Sequence, residues 1–252
     1  MHLVNSRILL VFSFIFCFLA SCKKNSDKGP SGASNKLKMY IEDARATPYN
    51  SIDTFSLTYD NNNRITSLFS KTLKFTYAYT SNTGYSMDLY ETGQLSIHEI
   101  GFIQGNGYVD STFQYNNTND STTEKYIYNG NVLTSKITYS YSKLNTTVDN
   151  RENYTYDNNG NLTKTVQFDG SGSITSTTTY TYTDKPFQLT TSPAYYPLQG
   201  KNLPASETQT DGSGNVDATV TYTYTFDSQG RVTKETDTVA PGVYVVKTYV
   251  YY

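Results

Sequence analysis

Tryptophan is absent from the 252-residue chain, and cysteine and histidine occur twice each. Both cysteines, Cys17 and Cys22, fall within the first 22 residues. A domain folded from the remainder has no thiol, which excludes a disulfide, a thiolate zinc site and a cysteine nucleophile. His98 is the only histidine beyond the N-terminal region. Charge is also sparse, with 20 basic against 22 acidic residues and a formal net charge of −2. No basic cluster follows residue 36, so nucleic acid is not an expected partner. No stretch carries the 3.6-residue period of a long amphipathic helix. Neither a phosphate-binding glycine loop nor an elbow around a nucleophilic serine is present, and no cofactor is expected.

The one long apolar run is Ile8 to Ala20, preceded by a single charged side chain, Arg7. It has signal-peptide length and is too short to span a bilayer. Leu19-Ala20-Ser21-Cys22 closes it. This stretch resembles the lipobox read by lipoprotein signal peptidase, and the resemblance implies removal of residues 1–21 and acylation of Cys22. Several acyl chains on one residue anchor a protein where a single chain does not. Residues 22–36 are polar and contain Gly and Ser, as expected of a flexible tether. Fully stretched, that tether reaches about 45 Å. The expected location is the cell envelope, with the protein lipid-anchored at the outer membrane on its periplasmic or extracellular face.

Residues 37–252 are enough for one all-β domain with a substantial core. With 25 Tyr and 12 Phe, that core must be built largely from phenol and phenyl rings. Tyrosine suits half-buried strands because its ring packs while its hydroxyl finds a polar partner. From Val216 to Asp227, apolar and polar residues alternate without a break, with Tyr222, Tyr224 and Phe226 on one face and Thr221, Thr223 and Thr225 on the other. Period two specifies a β-strand. The same alternation places Phe75, Tyr77 and Tyr79 on one face, and it recurs at Ile137, Tyr139 and Tyr141 and at Tyr180 and Tyr182.

Several strands end in one kind of turn, at Tyr59-Asp60 to Thr66, Tyr128 to Thr134, Tyr156-Asp157 to Thr163 and Phe226-Asp227 to Thr233. Asp60, Asp157 and Asp227 are suited to accept hydrogen bonds from turn amides. Gly130, Gly160 and Gly230, with Asn63 in the first copy, supply residues that tolerate positive φ. Leu162 and Val232 then begin the return strand on the buried face. Such spacing predicts about 14 strands in an antiparallel meander, forming a curved sheet or a partial or closed barrel with a Tyr/Phe-rich interior. Outward Thr, Ser, Lys and Asp cannot form a lipid-facing belt, so the domain is not expected to span a membrane. Val243 to Tyr252 departs from this, being apolar on both faces, and reads either as a strand covered on both sides or as a partner patch.

These turns resemble the tyrosine-aspartate (YD) repeats of rearrangement-hotspot proteins. They are closer still to repeat-bearing lipoproteins of the Bacteroidetes, including an uncharacterised family described as having a porin-like fold. Tyr182-Thr183-Asp184-Lys185-Pro186-Phe187 also looks like a segment of those lipoproteins. The resemblance implies a β-repeat domain; the chain has too few strands for the toxin shell that such repeats build elsewhere.

Candidate reactive groups are few. His98 has Glu99 beside it, but strand neighbours point to opposite faces, which separates them. Asp211, Ser213, Asn215 and Asp217 repeat the alternate oxygens of a calcium loop, but Val216 stands where glycine is required and Tyr222 where a bidentate Glu is required. Asp110-Ser111-Thr112, Asp120-Ser121-Thr122 and Asp237-Thr238-Val239 are similar to a Bacteroidetes O-glycosylation signal. The expected function is therefore non-enzymatic: a membrane-anchored scaffold or binder of an envelope protein. One alternative is a glycan-binding module using exposed tyrosines, and another is a hydrolase whose carboxylates meet only in the fold.

Overall fold

A computed structural model describes residues 36–80, 83–116, 121–142, 145–189 and 200–252. Cys22, the leader and the tether lie outside the described residues, as does most of the proline-bearing excursion after Phe187. The strands are β1 (Leu37–Ala46), β2 (Ile52–Tyr59), β3 (Ile65–Phe69), β4 (Leu73–Thr80), β5 (Gly84–Glu91), β6 (Gln94–Ile103), β7 (Val109–Asn116) and β8 (Ser121–Asn129). They continue with β9 (Val132–Ser142), β10 (Asn145–Tyr156), β11 (Leu162–Asp169), β12 (Ile174–Pro186), β13 (Asn202–Asp211), β14 (Val216–Phe226), β15 (Val232–Ala240) and β16 (Val243–Tyr251).

Every strand pairs with its sequence neighbours, and β1 pairs antiparallel with β16, so the meander closes into a 16-stranded barrel. The expectation of about 14 strands fell short, and the open or partial alternatives are replaced by full closure. Closure removes the unpaired edges that a meander would otherwise expose. The first and last described residues meet at one end, where the Tyr252 amide donates to the Lys36 carbonyl at 3.1 Å.

Alternation sets which side chains enter the barrel, because directly opposed residues on paired antiparallel strands share a face. On β14, Val220 and Tyr222 are buried and face inward, whereas Thr219, Thr221, Thr223 and Thr225 are exposed. The ends of that strand depart from the expected pattern. A register shift beside Val216 turns it outward, where it is 64% exposed, and Phe226, although opposite buried Val232, is 39% exposed at the strand end. Ile137, Tyr139 and Tyr141 pair with outward residues of β8 and form part of the outer surface, not the interior. The last strand is not covered on both sides, since Tyr244 and Val250 are exposed.

At the terminus end a collar accounts for the tyrosines near the ends of even strands, Tyr59 and Tyr128 of the repeats among them. The first inward residue of each of six odd strands is almost fully buried: Leu37, Ile65, Val109, Leu162, Leu203 and Val232. In five of the six, a tyrosine near the end of the next strand donates its hydroxyl to that residue's carbonyl. The donors are Tyr59 to Leu37 (2.8 Å), Tyr79 to Ile65 (2.6 Å), Tyr128 to Val109 (2.7 Å), Tyr182 to Leu162 (2.6 Å) and Tyr251 to Val232 (2.8 Å). In the sixth, Tyr224 donates to Pro204, next to Leu203, at 3.0 Å. Six of the eight hairpins are thus each clasped by a tyrosine of their own, which satisfies a rim carbonyl while the ring covers an aliphatic side chain.

The aspartate turns are built by the same local chemistry. Oδ1 of Asp227 accepts the Gln229 and Arg231 amides, both at 2.9 Å, and Oδ2 accepts the Arg231 Nε at 2.8 Å. Asp60 repeats this with Asn62 and Arg64, and Asp157 with Asn161. Hydrogen bonds from Arg231 hold the Asp227 carboxyl below the usual range, and the Asn161 amide does so for Asp157. The fourth residue of each of these three turns has positive φ: 63° at Asn63, 84° at Gly160 and 77° at Gly230. Gly130, in the shortened turn, has a φ of 61°. Gly230→Val is expected to cost about 1–2 kcal/mol or more, because a β-branched side chain is forced into the left-handed region. Urea unfolding measures this; Asn63→Gly, measured in parallel, is expected to cost nothing.

Candidate functional site: the two faces of the barrel wall

Buried charge gathers on the inner wall, where period two sends alternate polar residues inward. Lys247 on β16 contacts Glu235 Oε1 at 2.9 Å and Asp237 Oδ2 at 2.7 Å, both on β15, and the Tyr249 hydroxyl donates to Glu235 Oε2 at 3.1 Å. Glu42 on β1 stands opposite Lys247, and Asp53 on β2 stands opposite Glu42. A second group places Lys136 between Glu124 and Glu152, at 3.0 and 3.1 Å, with Tyr126 and Tyr154 donating to the two carboxylates. In a third, Glu99 accepts from Tyr85 at 2.5 Å and from the Gln114 side chain.

Burial governs the titration of these groups. It raises the Glu42 and Glu207 carboxyls. It pushes Asp237 up to about 8, with Lys247 opposing the shift and Glu235 adding to it. Burial acts to lower Lys247, but Glu235 and Asp237 lift it well above its ordinary value. Asp237 Oδ1 has no hydrogen-bond partner among the described residues, which fits a site holding two carboxyls for one ammonium. Folded Asp237 keeps a proton that the unfolded chain releases near pH 4, so its contribution to stability falls as pH rises toward about 8. Asp237→Asn is expected to flatten that part of the pH–stability curve. Urea midpoints between pH 5 and pH 9 read the slope; an unchanged slope means that Asp237 is ionised throughout.

The inner wall changes the reading of the carboxylates. They are not confined to turns, since distant strands do bring acidic groups together, but Glu235 and Asp237 are only 1% and 2% exposed. Both carboxyls are sealed from any substrate in solution.

The candidates named from sequence are placed as follows. His98 and Glu99 do face opposite sides. His98 is oriented after all, with its Nδ1 2.5 Å from Asp88 Oδ1 and its ring 4.8 Å from that of Tyr115, on the outer wall. Sequence reasoning missed Asp88. The Thr92-Gly93 turn alone sets Asp88 against Ile97, and a register shift between Leu89 and Tyr90 moves it opposite His98, so no local signal pairs the two. In the calcium-like loop, Asp211 Oδ1 accepts the Ser213 and Asn215 amides, and Oδ2 accepts Asn215 Nδ2. The turn itself uses both oxygens, and no three acidic or histidine side chains converge on a metal position among the described residues. Of the glycosylation-like triplets, Thr112 and Asp237 are buried, and Asp120 lies outside the described residues.

The outer wall differs from one side of the barrel to the other. Across β12 to β15 its rows are hydroxyls: Thr181, Ser206, Thr221 and Thr238 lie in register, as do Thr179, Thr208 and Thr219. Thr181 and Ser206 hydrogen-bond at 2.7 Å, and Thr208 and Thr219 at 3.3 Å. Across β6 to β10 one row is largely apolar and the next mixes apolar with cationic and hydroxyl side chains. Ile100, Phe113, Thr123, Tyr139 and Val148 form one; Phe102, Ser111, Lys125, Ile137 and Arg151 form the next, with Phe168 of β11 continuing it. Lys125 lies 5.8 Å from the Tyr139 ring centroid and Arg151 4.6 Å from that of Phe168. Outward carboxylates on β5 to β10 are Asp88, tied to His98, and Asp110 and Asp149 near strand ends.

No protein-family model and no curated protein matches the chain. Solved structures do. The barrel is similar to a porin-like protein from Bacteroides vulgatus, with a TM-score of 0.62 and 12% identity over 86% of this chain and 98% of that one. It is also similar to a porin-like protein from Bacteroides uniformis, with a TM-score of 0.64 and 14% identity over 88% of this chain and 99% of that one. At these identities the likeness is one of fold: the chain is an all-β antiparallel meander closed into a barrel of porin-like architecture.

Proposed function

We propose that this chain is an envelope lipoprotein, held to the outer membrane through Cys22, whose barrel stays outside the bilayer and acts by contact with a partner and without catalysis. One observation carries the reading: the rows of threonine across β12 to β15 at mid-strand, where a spanning barrel presents apolar side chains to lipid. Most tyrosines point inward or clasp the rim, which disfavours an aromatic glycan-binding surface, and the best-formed carboxyl cluster is sealed, which disfavours a hydrolase.

Fractionation of envelopes tests this. The wild-type protein is expected to require detergent for release, and Cys22→Ala protein to come off in a high-salt wash. Retention of Cys22→Ala through both salt and alkaline carbonate would identify a spanning barrel and overturn the reading.

A further inference from the structure

We propose that the outer face of β6 to β10 is a membrane-resting surface that takes the headgroup layer of an anionic phospholipid bilayer. The proposal rests on the reading that the barrel does not span the membrane, and it adds how the barrel lies on it. Two observations point to lipid.

The first is a contiguous strip of exposed apolar side chains. The two rows through Phe113 and Phe102 adjoin each other, and Phe102 is 53% exposed. Five strands at about 4.8 Å spacing make this strip about 20 Å wide, larger than scattered surface apolar residues account for. The outer face of β12 to β14 carries hydroxyls at mid-strand instead. An amphipathic helix lies on a membrane through its apolar face, and an apolar strip on a barrel obeys the same physics.

The second is charge. Lys125 and Arg151 stand inside the strip, each with its cationic group over an aromatic ring. Long cationic side chains lying along apolar surface, with their heads at its edge, match a headgroup layer above acyl chains.

Flotation with vesicles tests the proposal, using the mature chain from residue 22 carrying Cys22→Ala, so that no acyl chain contributes. This protein is expected to float with phosphatidylethanolamine–phosphatidylglycerol vesicles, to float far less with phosphatidylcholine alone, and to lose binding as salt rises. Lys125→Gln with Arg151→Gln is expected to weaken partitioning about thirtyfold, and Phe102→Ser with Phe113→Ser at least tenfold. Thr221→Gln with Thr223→Gln, on the outer face of β14, is expected to leave it unchanged. These outward residues leave the inner wall intact, and circular dichroism checks that each variant folds. No flotation with anionic vesicles, or flotation indifferent to both outer-face pairs, would overturn the membrane-resting face while leaving the Cys22 anchor standing. Flotation that survives alkaline carbonate would overturn both.

Discussion

Replacing Lys247 with methionine is expected to destabilise the barrel by about 3–5 kcal/mol at neutral pH, the usual cost of stripping one partner from a buried ion pair. Lys247 is the only cation in contact with Glu235 and Asp237 among the described residues, and it lies within 3 Å of each. Methionine fills much of the same space, so the loss reports charge more than volume. For a chain of this size the shift in Tm is about 2–4 °C per kcal/mol, so thermal unfolding resolves it readily. Adding Glu235→Gln and Asp237→Asn to Lys247→Met removes the stranded charge and is expected to recover much of the loss. A loss below about 1 kcal/mol for Lys247→Met alone would mean that both carboxyls are neutral in the fold and need no cation.

Gly101→Val is expected to be comparably damaging. Tyr85 stands opposite Gly101 across β5 and β6, and its ring lies over the bare glycine. A Cβ at residue 101 would fall 1.9 Å from Tyr85 Cε1 and 2.2 Å from Cζ. The ring must move, and its hydroxyl then leaves Glu99, which is 2% exposed. Overpacking costs about 1–3 kcal/mol, and a buried acceptor deprived of a donor costs about as much again. Urea unfolding measures the sum. Gly105→Ala serves as the control, because nothing lies within 4 Å of its added carbon. If the Gly101 variant unfolds like that control, the ring has an alternative resting place and the glycine is not required.

Much of the fold was legible because it is written locally. Period-two alternation gave the strands of the threonine-rich half, and the Asp, Asn and Gly of the turns gave their reversals. Alternation is present along Ile97 to Phe102 and Phe113 to Tyr115 but assigns the wrong face, because Ile100, Phe102, Phe113 and Tyr115 point outward while Glu99 and Gln114 point inward. Closure was out of reach, since β1 meets β16 across almost the whole chain and no local pattern encodes that pairing. The inner-wall networks were hidden for a related reason. Glu235 and Lys247 are recognisable as partners only once the register of β15 and β16 is known. The outward turn of Tyr139 follows from the same register, which assigns the face when alternation alone leaves two choices.

The tyrosine clasps have a consequence for how such a barrel changes size. Each clasp joins a residue near the start of a hairpin to one near its end, 14 to 22 positions apart, so six of the eight two-strand units carry a rim seal of their own. Duplicating or deleting one unit leaves the remaining seals intact and requires only that two new neighbours pair. The circumference is therefore a quantity that gene-level copying can alter two strands at a time, with the seam between the first and last strands simply closing over a different number of identical pieces.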